Sequence, residues 1–167
     1  MRKRIISLVA AAMCITLCGT AGAQTKEPVD YVNPYIGNIS HLLVPTFATV
    51  QLPNSMLRVY PARADYTSEY VNGLPMIVTN HRERSAFSIS PSQRSELSPV
   101  VPVNYDHERI TPYSFDIELD DNTMRARYAV DRQSAVYELQ FYRKDKPVYV
   151  IINSANGMMR IGKNYVS

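Results

Sequence analysis

Apolar and polar side chains alternate without a break from Tyr113 to Leu119, and the same pattern returns twice before Phe141. A period of two sends successive side chains to opposite faces of an extended chain, so each stretch predicts a strand with one buried face. Phe115, Ile117 and Leu119 fall on the apolar face of the first, opposite Asp116 and Glu118. Met124, Ala126, Tyr128 and Val130 share a face of the second, and Ala135, Tyr137, Leu139 and Phe141 a face of the third. Asp120-Asp121-Asn122 supplies turn chemistry between the first two. Arg143-Lys144-Asp145-Lys146 reads as a solvated hairpin tip leading to a fourth run, Pro147 to Ile152. That run is apolar on both faces, which predicts a central strand. Four strands so spaced predict an all-β fold, an antiparallel β-sandwich.

The first half of the chain is punctuated by Pro34, Pro45, Pro53 and Pro61, which excludes any long helix there. Short strands are expected at Met56–Tyr60, Met76–Thr79 and Ser85–Ser90, and a surface loop from Ser90 to Pro102. Asp106-His107-Glu108 reads as a polar turn between strands. At the other end, Met158 to Ser167 looks like the start of further β structure. Ser167 is therefore expected to end a fragment, with the sandwich incomplete on its C-terminal side.

The N-terminus carries a different kind of signal. Arg2-Lys3-Arg4 precedes an apolar run from Ile5 to Cys18, and Ala21-Gly22-Ala23 supplies the small residues a signal peptidase requires. The run of about 14 residues falls short of the roughly 20 that span a bilayer. Residues 1–23 are therefore expected to be a cleaved signal peptide, followed by one domain over 24–167. Met13 and Leu17 precede the two cysteines where a lipidation site wants small residues, so no lipoprotein is expected. The mature chain is placed in the periplasm or outside the cell, with no membrane anchor.

Cleavage removes both cysteines and the whole net charge of +3. The 15 acidic side chains that remain are matched one for one by Lys and Arg. Nucleic-acid binding built on basicity is thereby excluded, since it needs positive charge gathered on one face. No disulfide or thiolate chemistry is available either.

The chain lacks a nucleophile elbow, a zinc-binding His-Glu-x-x-His and a phosphate-binding glycine loop. His41, His81 and His107 stand too far apart in sequence to form a metal-ligand motif. Asp116 and Glu118 project from one strand face about 7 Å apart, a spacing within the range of glycosidase acids. Their face is the solvent face, with no apolar wall to raise either pKa. No catalytic residue and no metal ligand is assigned.

The densest segment without a plain structural role is Val32-Asn33-Pro34-Tyr35-Ile36-Gly37-Asn38-Ile39-Ser40-His41, running on to Pro45-Thr46 and Gln51-Leu52-Pro53-Asn54. An ordered crossover packed on the sandwich accounts for it equally well. The opening Tyr-Val-Asn-Pro-Tyr-Ile-Gly and the His- and Pro-containing loop resemble the start of family 92 glycoside hydrolases, exo-acting α-mannosidases of Bacteroidetes type. The resemblance continues through Arg58–Thr67, Asn72–Pro75, Tyr105–Tyr113 and Val148–Gly157. The family's commoner glycine-rich loop is here Gly37-Asn38-Ile39-Ser40-His41.

The resemblance implies the N-terminal sandwich of a two-domain, inverting, calcium-dependent enzyme. Its acid, its base and most of its calcium ligands would lie in a separate helical domain, so this chain is expected to hold no cofactor and no complete site. Asn38, His41, His81 and Arg82 would help shape a pocket for a glycan, such as an α-mannoside. A second possibility is a stand-alone glycan-binding or envelope interaction module, in which Tyr66, Tyr70 and Tyr105 stack on sugars.

Overall fold

A computed structural model describes residues 25–39, 46–63, 67–78, 87–154 and 158–167. The expected signal peptide, His41, His81, Arg82 and Tyr66 lie outside the described residues. The chain divides into two units, Met1–Tyr31 and Val32–Ser167. In the first, a 3-10 turn spans Pro28–Tyr31, and the Asp30 carboxylate within it accepts from the preceding Glu27 amide at 2.9 Å.

Among the described residues, the second unit holds nine strands, paired antiparallel in two sheets. The strands are β1 (Leu57–Val59), β2 (Tyr70–Val71), β3 (Leu74–Val78), β4 (Phe87–Ser92) and β5 (Val103–Ile110), then β6 (Ser114–Leu119), β7 (Met124–Val130), β8 (Ala135–Phe141) and β9 (Tyr149–Asn153). One sheet has the order β1-β3-β4-β9 and the other β2-β5-β6-β7-β8. The chain changes sheet between β1 and β2, β2 and β3, β4 and β5, and β8 and β9, so the sheets are laced together as a sandwich.

The alternating stretches are β6, β7 and β8, and their registers stack the apolar faces in rows. Ile110, Phe115, Tyr128 and Tyr137 stand opposite one another across four strands. The Phe115 and Tyr128 rings lie 4.6 Å apart, centroid to centroid, a stacked pair that contributes beyond its buried area. Ile117 and Ala126 form the next row with Leu139. Val50, Val59, Val71 and Leu74 complete the core.

The opposite face of this sheet is a ladder of charge. Arg109, Asp116, Arg127 and Glu138 are cross-strand neighbours in one row, and Glu118 and Arg125 pair in the next. Arg125 grips both carboxylate oxygens of Asp116, with Nε at 2.7 Å, and Arg127 donates to Glu138 at 2.6 Å. Opposite charges in neighbouring strands hold the register of a half-solvated sheet.

Three expectations are corrected. The apolar run from Pro147 yields β9, which among the described residues is the last strand of its sheet rather than a central one. Ile151 packs against the core, whereas Val150 on its other face is half exposed. Asp106-His107-Glu108 is no turn between strands: it lies inside β5, where a bulge shifts the register and His107 takes φ +52°. The expected loop from Ser90 begins later, because Ser90, Pro91 and Ser92 remain in β4 opposite Ile151, Val150 and Tyr149.

The hydrogen bond from Arg125 holds the Asp116 carboxyl below its ordinary value of 3.8. Stability gained this way is present above the unfolded pKa and lost as the pH falls through the folded one. Replacing Asp116 with Asn is expected to cost at most about 1 kcal/mol near neutrality. It should also flatten the loss of stability below about pH 4, as measured by urea unfolding across an acid pH series.

Candidate functional site

The loop entering the sandwich folds on itself before β1. Asn33 accepts the Tyr35 amide on its side chain at 3.0 Å and the Ile36 amide on its carbonyl at 3.4 Å. The Asn38 amide donates to the Tyr35 carbonyl at 3.2 Å, and its side-chain nitrogen to the Pro34 carbonyl at 3.4 Å. This is the turn chemistry expected of an Asn-Pro segment.

A clasp closes the loop. Thr46 donates its amide to the Gly37 carbonyl and its hydroxyl to the Ile36 carbonyl, each at 2.9 Å. Gly37 has φ +78°, and a Cβ there would stand 2.8 Å from the Thr46 hydroxyl oxygen. Glycine is required on both counts. Outside the clasp, Tyr35, Gly37, Asn38 and Ile39 line an open groove of about 430 Å³. Of its lining residues Ile39 is exposed, while Asn38 is only 3% exposed. The Asn38 Oδ1 accepts no hydrogen bond from any described residue.

Beside the loop lies an ion pair that has almost no contact with water. The Arg63 side chain is 0% exposed and that of Glu108 9%, and the two terminal nitrogens of the guanidinium face the two carboxylate oxygens. The Tyr105 ring covers the guanidinium, 4.4 Å from its centroid to the central carbon. Burial pushes the Glu108 carboxyl up, although Arg63 pulls it down. Tyr35 joins this group to the loop: its hydroxyl donates to the Glu108 carbonyl at 3.5 Å and takes a backbone hydrogen bond from Ile110. Its own pKa is raised by burial and then by the Glu108 charge.

Of the four proposed sugar contacts, Asn38 alone falls among the described residues, at the groove. The stacking tyrosines fare unevenly. Tyr70 is half exposed, but Tyr105 has one face under Arg63 and its hydroxyl on the Ser68 carbonyl at 3.0 Å. Arg63, Glu108 and Tyr35 were not assigned from the sequence, because a buried pair formed by distant residues leaves no local pattern. Their one signal is that all three lie within the segments carrying the family resemblance.

Acid–base chemistry has little to draw on here. Asp116 and Glu118 share Arg125, and the lowered Asp116 pKa is the reverse of what a general acid needs. Among the described residues, no three His, Cys, Asp or Glu side chains gather around a common point.

Fold and loop together define a class: an antiparallel sandwich that presents a clasped loop and holds the Glu108 carboxylate in a buried ion pair. The family model of the glycosyl hydrolase family 92 N-terminal domain matches residues 31–167, and the chain belongs to that family. No curated protein matches it.

Two substitutions test this construction. Gly37→Ala is expected to cost about 1–3 kcal/mol in urea unfolding, and a second change, Thr46→Ala, should recover part of that by relieving the contact. Arg63→Met, which strands the Glu108 carboxylate, should cost about 3–5 kcal/mol, most of it regained in R63M/E108L. The deficit of the single variant should grow with pH, because an unpaired buried carboxyl binds its proton more tightly folded than unfolded.

Proposed function

We propose that residues 31–167 form the carbohydrate-contacting domain of an exported α-mannosidase-type glycoside hydrolase. The observation that carries this reading is the open groove lined by Tyr35, Gly37, Asn38 and Ile39 within the family's opening motif. The buried Asn38 Oδ1 lacks a partner among the described residues, and since an unpaired buried acceptor costs about 1–3 kcal/mol, a small shift of the loop that lets a sugar hydroxyl reach it would be favoured. His41, His81 and Arg82 join Asn38 in this proposal as further contacts to an α-mannoside.

In this reading the catalytic acid, the base and the calcium ligands belong to a separate helical domain of the enzyme. Support comes from Glu108, Asp116, Glu118, Asp120 and Glu138, each of which is engaged with an arginine. Residues 1–23 serve delivery to the periplasm or beyond. A stand-alone glycan-binding module keeps only Tyr70 as an open stacking platform among the described tyrosines proposed for that role.

The full chain, mixed with an aryl α-mannoside and calcium, is expected to release no mannose. Turnover that disappears on substituting an Asp or Glu of this chain would place the acids here instead. In a titration with methyl α-mannoside, the amide resonances of Gly37 and Asn38 should shift saturably, and Asn38→Ala should abolish the response. Unchanged resonances in the wild-type chain would overturn the carbohydrate contact.

A further inference from the structure

The Arg63–Glu108 pair sits where its stability value is smallest and its geometric value greatest. Removing two charges from water costs about what their attraction returns, so a pair of this kind is often no better than apolar residues of the same volume. What it does supply is direction. A guanidinium facing both oxygens of a carboxylate admits few relative orientations, and Tyr105 restricts the guanidinium plane further.

That direction is imposed at a bulge. Glu108 follows His107, whose φ of +52° marks the irregularity, and the pairing of β5 with β6 shifts between Asp106 and Arg109. The extra residue leaves the backbone here without a regular ladder partner. On either side of Arg109, the carbonyl of Glu108 accepts from the Tyr35 hydroxyl and the amide of Ile110 donates to it. Tyr35 is in turn bonded through its carbonyl to the Asn38 amide, while Asn38 bonds back to Pro34. A continuous set of contacts therefore runs from the buried pair through the bulge and Tyr35 to Asn38.

We propose that Arg63 and Glu108 are positioning residues: acting through the β5 bulge and Tyr35, they fix the Asn33–Asn38 loop and so set where the Asn38 amide is presented. The consequence for ligand affinity rests on the carbohydrate reading given above; the coupling of pair to loop does not. Neither residue touches the ligand.

The test uses the full chain and two variants of different kind. R63M/E108L replaces the pair with apolar volume. Tyr35→Phe leaves the pair intact and removes only the hydroxyl that reads the bulge, so it remains informative should the double variant fail to fold. In variants that keep the wild-type resonances of Ile117 and Ala126 in the core, the Gly37 and Asn38 amides are expected to shift. Their hydrogen exchange should accelerate about tenfold, the equivalent of losing one hydrogen bond. Affinity for methyl α-mannoside should weaken by about the same factor. Folded variants whose Gly37 and Asn38 shifts and exchange rates equal those of the wild type would overturn the proposal. Loop resonances that respond to the substitutions, in a wild-type chain that ignores the glycoside, would support the coupling and overturn the carbohydrate reading alone.

Discussion

A guanidinium cut off from water must meet a negative group in good geometry, or the segment carrying it does not stay folded. Arg63 is such a group, and the rim of the sandwich is arranged around it. Arg63 follows β1 in one sheet and Glu108 belongs to β5 in the other, so their ion pair ties the two sheets at one end. Tyr105 closes over the cation from β5, and Tyr35 docks on the same stretch of backbone from the incoming loop. Beneath this, Val59, Val71, Phe115 and Tyr128 set the distance between the sheets. The core thus determines where the backbones run, and the pair determines how their ends meet.

How much of this could be read beforehand depends on the range over which each feature is encoded. β6, β7 and β8 were legible because one face is buried and the other solvated, and a period of two reports that directly. β9 has apolar residues on both faces for two separate reasons. Ile151 meets the core, whereas Val150 on the other face is half exposed beside β4, and a run of apolar residues cannot distinguish that from a central strand. β5 was obscured at its middle, since Asp106-His107-Glu108 has the composition of a turn. It is a bulge whose Glu108 is paired with Arg63, a partner distant in sequence that the local pattern does not show.

The site divides along the same line. Asn33, Pro34, Gly37 and Asn38 announce an ordered turn locally, and the clasp with Thr46 explains why a glycine stands at residue 37. The partnership of Arg63 with Glu108 has no such announcement, because its members are distant in sequence and each looks like an ordinary surface charge. The family match to residues 31–167 covers both segments without assigning either residue a part. The burial of both side chains separates this pair from those of Arg94 with Asp120, His107 with Asp106, Arg125 with Asp116 and Glu118, and Arg127 with Glu138.

That separation is best seen against the outer ladder. Asp116 and Arg125 have the same chemistry as Glu108 and Arg63, with good hydrogen-bond geometry, yet both are partly exposed and their neighbours on the face are charged as well. Water screens such a pair, other rotamers are open to it, and no neighbouring segment takes its position from it. At Arg63 water is absent, the ring of Tyr105 blocks alternative rotamers, and the carbonyl next in line is the acceptor for another segment's hydroxyl. An apolar pair at that point would fill the space but would leave the side chain at position 108 free to rotate and the bulge free to slide, since dispersion has no direction. Exposure therefore decides what the same two residue types mean: on the sheet face they keep register and solubility, and at the rim they hold a loop in place.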